Sequence, residues 1–186
     1  MEQAYWQARY TEGSTGWDLG EISRPLKAYI DQLSDKTIRI LIPGCGFGHE
    51  AIYLSKQKFT HITVIDLVDE AMATLRENAP DVSCITGDFF DHNGQYDLIL
   101  EQTLFCAIDP KMRQDYVKKI AELLTPTGKY VGVLFNRAFE GGPPFGGSRE
   151  EYHGYMNGCF SSISLENCYN SIEPRQDTEA FVIARR

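Results

Sequence analysis

Gly44-Cys45-Gly46-Phe47-Gly48 follows the apolar run 37–42, "TIRILI", after the single residue Pro43. Three alternating glycines after a strand let the backbone turn with positive φ and approach a ligand closely. The bland alternative is a tight turn that needs positive φ for its own sake. The spacing is G-x-G-x-G, one position short of the G-x-G-x-x-G that cradles a pyrophosphate, and no Gly-Lys-Ser/Thr of a phosphate loop follows. Asp66 ends the next apolar run, placed to accept hydrogen bonds from both hydroxyls of a ribose or to cap a helix. Asp88 and Phe89 follow the third run, where they would meet an adenine amino group and ring, or form a plain turn. Glu101 and Gln102 close the fourth run, where the polar tail of a ligand would lie.

These residues need a frame. Apolar strand-length runs at 37–42, 61–67, 82–86, 96–101 and 129–135 alternate with helical stretches at about 48–58, 69–79 and 110–124. That alternation predicts a mostly parallel sheet with helices on both faces and ligands at the carboxyl ends of its strands. Asp109 before Pro110 reads as a helix start, and "LLTPTG" as its stop. After 135 a Gly/Pro loop leads to a short helix with Ser148 and Glu151 as a capping box. Two further strands, in 160–170 and 178–186, should pair antiparallel. The first 35 residues read as two helices outside the sheet. The expectation is one α/β domain over 1–186, Rossmann-like, seven-stranded and mostly parallel, with an antiparallel C-terminal strand and a helical cover over 1–35.

The length of 186 residues suits one domain. The net charge of −8 opposes nucleic-acid and anionic-membrane binding. Five cysteines, none in a CxxC pair, read as thiols in a reducing cytosol with no metal site. The opening residues carry no signal-peptide core, and no segment approaches the ~20 apolar residues of a membrane span. A cytoplasmic monomer or weak homodimer is expected. Adenosine with an acidic ribose partner and no pyrophosphate cradle fits S-adenosylmethionine better than a nicotinamide cofactor. Its sulfonium is a cation, suited to aromatic and acidic neighbours.

With these residues the sequence resembles the thiopurine S-methyltransferase family of class I S-adenosylmethionine-dependent methyltransferases, including the plant halide and thiol branch. Four pieces carry the resemblance: "YWQARYTEGSTGWDLGEISRPL", "IPGCGFGHEA", "YDLILEQTLFCAIDPKMR" and "GGPPFGGS". The resemblance implies cofactor contacts at Trp6, Tyr10 and Trp17 in a segment folded over the cofactor, with Tyr10 standing where the plant branch has Trp. Trp6 and Tyr10, one helical turn apart, could equally be core. Glu50 replaces the family's usual Asp, and Gln102 takes the place of a family cofactor contact. The animal enzymes carry an acceptor-handling arginine near this part of the chain, for which Arg137 and Arg149 are the nearest candidates.

The implied reaction is methyl transfer to a small nucleophile: a thiol, thiopurine, sulfide or halide. The alternatives are a metalloid oxyanion or small oxygen or nitrogen acceptor, and a non-catalytic cofactor-binding module. By position, Phe105, Phe145, Tyr152 and Tyr155 would line the acceptor pocket. An anionic acceptor needs no general base. Asp18 is the weak candidate for a water-mediated base, and His49 and His153 read as structural or exposed. Cys106 reads as an apolar wall.

Overall fold

β1 (Arg39–Pro43), β2 (His61–Asp66), β3 (Ser83–Thr86) and β4 (Tyr96–Gln102) alternate with α3 (His49–Lys56) and α4 (Ala73–Asn78) in the computed structural model, which describes residues 3–186. Ahead of them stand α1 (Gln3–Thr11) and α2 (Arg24–Ile30). Beyond them come α5 (Arg113–Leu123), β5 (Leu124–Phe135), α6 (Arg149–Met156), β6 (Ser162–Asn167) and β7 (Glu179–Arg185). The first two positions of the expected cover at 1–35 lie outside the described residues.

The seven strands lie in the order β3-β2-β1-β4-β5-β7-β6. Pairs among the first five are parallel. β7 runs antiparallel to both neighbours, as the sequence predicts. Strand order reverses between β1 and β4, and a crevice opens there at the carboxyl ends. β-alternation divides the core. Ile40, Ile42, Leu98, Leu100, Val131 and Val133 pack one face against Leu26, Ile30, Ala51, Leu54 and Leu75. Leu41, Ile99, Tyr130 and Leu134 pack the other against α5 and α6.

Several boundaries differ from expectation. The stretches 69–79 and 110–124 each begin as a 3-10 turn, Asp69–Met72 and Pro110–Met112, before α4 and α5. The Asp109 side chain accepts from Lys111 N at 2.9 Å, which stops that turn from unwinding. β5 begins at 124 rather than 129, because Leu124 pairs with Tyr96 before a register shift to the Leu98–Lys129 pair. Ser148 Oγ accepts from Glu151 N at 3.2 Å. Glu151 answers Arg113 instead of returning to Ser148, so half of the capping box is formed.

Candidate active site

The glycine turn sits at the crevice. Gly44, Gly46 and Gly48 have φ of 60°, 53° and 74°, where a side chain is strained. Gly44 N donates to Ile65 O at 2.7 Å, tying the turn to β2. A Cβ on Gly46 would stand 3.1 Å from the Tyr10 hydroxyl. Gly48 does a different job: a Cβ there would strike Leu75 at 2.7 Å, so it lets α3 start against α4 and lies off the ligand wall.

Asp66 closes the turn from β2. Its Oδ2 accepts from Gly46 N at 2.9 Å and its Oδ1 from Val68 N at 3.0 Å. Burial pushes its carboxyl above the usual range, and the backbone N–H groups pull it part of the way back. A carboxylate has about four lone-pair sites, so each oxygen keeps one for a further donor.

Around the turn opens a cavity of about 530 Å³. Its wall includes Trp6, Tyr10, Trp17, Gly44, Gly46, Asp66, Phe89 and Gln102, which the sequence singles out, and Asp18, His49 and Cys106. α1 buries none of its residues in full. It is held by edge-to-face rings: Trp6 and Tyr10 lie 5.5 and 5.6 Å from Trp17, and Tyr10 lies 5.4 Å from Phe47. Gln3 Nε2 also donates to Leu67 O at 2.9 Å. The Tyr10 phenol is pushed up, first by burial and then by Asp66.

Other sequence-derived residues fall elsewhere. Asp88 is not on the wall; its carboxylate accepts from Phe90 N at 2.9 Å and caps a 3-10 turn, the plain-turn alternative. Phe105 and Tyr152 are buried between sheet, α5 and α6 rather than lining the cavity, with ring centroids 5.3 Å apart. Tyr155 lies outside them, 6.3 Å from Phe105. The Phe145 ring folds under Gly142. Position along the chain suggested a pocket wall for these aromatics, and Phe105 and Tyr152 instead build core. Arg149 is also off the wall, while Arg137 is on it. His153 is exposed. Burial pushes the Cys106 thiol up to about 12, so it is no thiolate nucleophile.

The end of the cavity away from Asp66 is built by Phe135, Phe139, Pro143, Pro144, Arg137 and Arg175. Arg175 donates to Trp17 O at 2.8 Å and lies 5.3 Å from the Phe135 ring. Arg137 stands 4.8 Å from the Phe139 ring and makes no ion pair or side-chain hydrogen bond among the described residues. Sequence reasoning misses Arg175 because no motif surrounds it. It also misses Thr103, a β-branched residue on the wall at φ 64°, a conformation that costs about 1–3 kcal/mol and collects at functional sites.

The residues fit S-adenosylmethionine. Asp66 has free lone pairs for the ribose. Gln102 Oε1 is buried on the wall without a partner, an acceptor that an ammonium group would satisfy. Aromatic rings and carboxylates surround the space for a sulfonium.

The comparisons agree with this geometry. The family model "Thiopurine S-methyltransferase (TPMT)" matches residues 1–185. The chain is 30% identical to Thiocyanate methyltransferase 1 of Brassica oleracea, over 96% of this chain and 83% of that one. It is 28% identical to "Probable thiol methyltransferase 2" of Arabidopsis thaliana, over 94% and 81%. Among solved structures, Burkholderia thailandensis 1,6-didemethyltoxoflavin-N1-methyltransferase, with S-adenosylhomocysteine bound, matches with a TM-score of 0.78 at 18% identity. That match covers 99% of this chain and 86% of the other. The fold is therefore that of the class I S-adenosylmethionine-dependent methyltransferases. The chain belongs to the thiopurine S-methyltransferase family, and it is an S-adenosylmethionine-dependent methyltransferase.

Proposed function

We propose that the methyl acceptor is a small, soft nucleophile: a thiol, thiopurine, sulfide or halide. The observation that carries this is the far end of the cavity, where the unpaired Arg137 guanidinium stands beside aromatic and proline walls. An apolar slot holding a guanidinium that is unpaired among the described residues favours a polarisable, electron-rich atom over a hydrated oxyanion. The similarity to thiocyanate and thiol methyltransferases supports the same reading.

S-adenosylmethionine supplies an electrophilic methyl group on a sulfonium. Asp66 and the glycine turn hold the ribose side, Gln102 takes the ammonium, and Trp6, Tyr10 and Trp17 shield the cation from water. An anionic acceptor meeting a cation loses charge in the transition state, so exclusion of water and alignment supply the acceleration. On this reading residues 1–35 cover a single-domain enzyme working in the cytosol as a monomer or weak homodimer. The net charge of −8 supports a small-molecule acceptor rather than a nucleic acid.

The test is an acceptor panel of thiols, thiopurines, sulfide, thiocyanate, iodide, tellurite and catechols, read as S-adenosylhomocysteine release. Turnover with the sulfur or halide acceptors is expected. Turnover confined to tellurite or to oxygen acceptors would contradict the proposal. Tight S-adenosylhomocysteine binding with no turnover on any acceptor would point to a binding module.

A further inference from the structure

His49 and Asp18 meet on the cavity wall although 31 positions separate them: His49 Nε2 lies 2.8 Å from Asp18 Oδ1. Their side chains are 28% and 25% exposed. His49 is the first residue of α3, beside the glycine turn. Asp18 lies in the segment between α1 and α2, and two contacts fix it there. Its Oδ1 accepts from Gly20 N at 3.0 Å. The carbonyl of its neighbour Trp17 is held by Arg175, which lies over Phe135 at the acceptor end. The pair therefore lies on the cavity wall, with Asp18 one residue from the Trp17 carbonyl that Arg175 ties to the acceptor end.

A carboxylate that holds one imidazole nitrogen as N–H fixes the tautomer and leaves the other nitrogen a base. With Nε2 on Asp18, the remaining nitrogen is Nδ1, which has no partner among the described residues. Tyr10 from α1 and Glu50 from α3 are titratable groups that feel the charge of the pair. Arg9, Glu21 and Asp66 share the wall. A free thiol has a pKa near 8.5 and is mostly protonated at neutral pH, so a thiol acceptor, unlike thiocyanate or a halide, must lose a proton.

We propose that the Asp18–His49 pair is the proton acceptor for neutral thiol substrates, which extends the enzyme's range beyond acceptors that are already anions. The inference rests on the sulfur-acceptor reading above. The S–H bond breaks and its proton passes to His49 Nδ1, while Nε2–H stays on Asp18. The freed sulfur pair forms the new S–CH3 bond, and the pair of the old C–S bond remains on the departing thioether. The imidazolium then releases its proton to solvent.

The experiment compares kcat/KM for 2-mercaptoethanol and for thiocyanate in wild type, His49→Gln and Asp18→Asn, from about pH 6 to about 10, so that the upper end reaches the thiol's own ionisation. General-base help is typically worth at least ~10²-fold. The thiol-to-thiocyanate ratio should fall by about that factor near neutrality in His49→Gln, and recover as pH rises and solution thiolate takes over. Independently of turnover, the complex with S-adenosylhomocysteine and thiol should show the ultraviolet absorbance of bound thiolate in wild type and not in His49→Gln. An unchanged ratio overturns the proposal. So does equal loss on both acceptors with weakened S-adenosylhomocysteine binding, which would make the pair a latch for the N-terminal segment. If wild type turned over neither acceptor, the proposed function would fall, and the thiolate absorbance would still decide the proton transfer.

Discussion

Glu101 shows how one buried residue sets a pH dependence. It is fully buried on the α5 side of β4, where Tyr130 Oη–H donates to Oε2 at 2.7 Å and Phe105 N donates to Oε1 at 2.9 Å. Burial raises its pKa from the ordinary carboxylate value to about 7, against the opposing pull of those donors and Arg113. The sign follows from proton binding: between roughly pH 4.5 and 7 the folded chain holds a proton that the unfolded chain has lost. Glu101's contribution to stability is therefore full below that window and is lost as pH rises through it. Glu101→Gln should raise the stability relative to wild type by about 1–3 kcal/mol at pH 8, with the difference shrinking near pH 5. Thermal melts at both pH values measure it, and an equal effect at the two would refute it. The sequence places Glu101 beside Gln102 at the end of the fourth run, where the polar tail of a ligand would lie, but only Gln102 reaches the cavity wall. That its side chain turns into the core, away from the cavity, follows from the β-alternation that sends Leu100 to the other face.

At the scale of elements, the loop 139–147 owes its place to Arg113. This guanidinium, 1% exposed, donates to Phe145 O at 3.1 Å, to Gly146 O at 3.0 Å and to Glu151 at 2.9 Å. It also lies 4.9 Å from the Phe105 ring. It thus fastens α5 to the loop that carries Pro143 and Pro144 to the cavity. Arg113→Met keeps the volume and removes every one of these bonds. It should cost about 2–4 kcal/mol, lower the Tm by ~5–15 °C, and open 139–147 to proteolysis. An unchanged Tm would mean the loop holds itself. The sequence announced elements better than their cross-links. β-branched runs, Pro110 after Asp109 and Ser148 before α6 each act over a few residues, so their local signals survive in one dimension. The Arg113 clasp, the Asp18–His49 pair and the Arg175–Trp17 bond join positions 31 to 158 apart and leave no local trace. The aromatics around α6 fail for the same reason: position along the chain suggests a pocket wall, while three-dimensional packing makes Phe105 and Tyr152 core.

At the scale of the molecule, the crevice between β1 and β4 is where the pieces converge, and the N-terminal segment closes over it through aromatic contacts, the Gln3–Leu67 and Arg175–Trp17 hydrogen bonds and the Asp18–His49 pair. Among the described residues no helix is long and apolar enough to cross a membrane. The glycine turn and Asp66 were legible because ligand sites in such sheets lie at strand ends, and strand ends can be counted along the chain. The central claim is that this turn and Asp66 bind an adenosyl sulfur cofactor. Calorimetric titration with S-adenosylhomocysteine and, separately, NADH, on wild type and Asp66→Ala, tests it most directly. Two hydrogen bonds to a charged acceptor are worth about 3 kcal/mol or more together. The account therefore predicts binding of S-adenosylhomocysteine alone, weakened at least ~10²-fold in Asp66→Ala. Binding of NADH, or S-adenosylhomocysteine binding unchanged by the substitution, would contradict it.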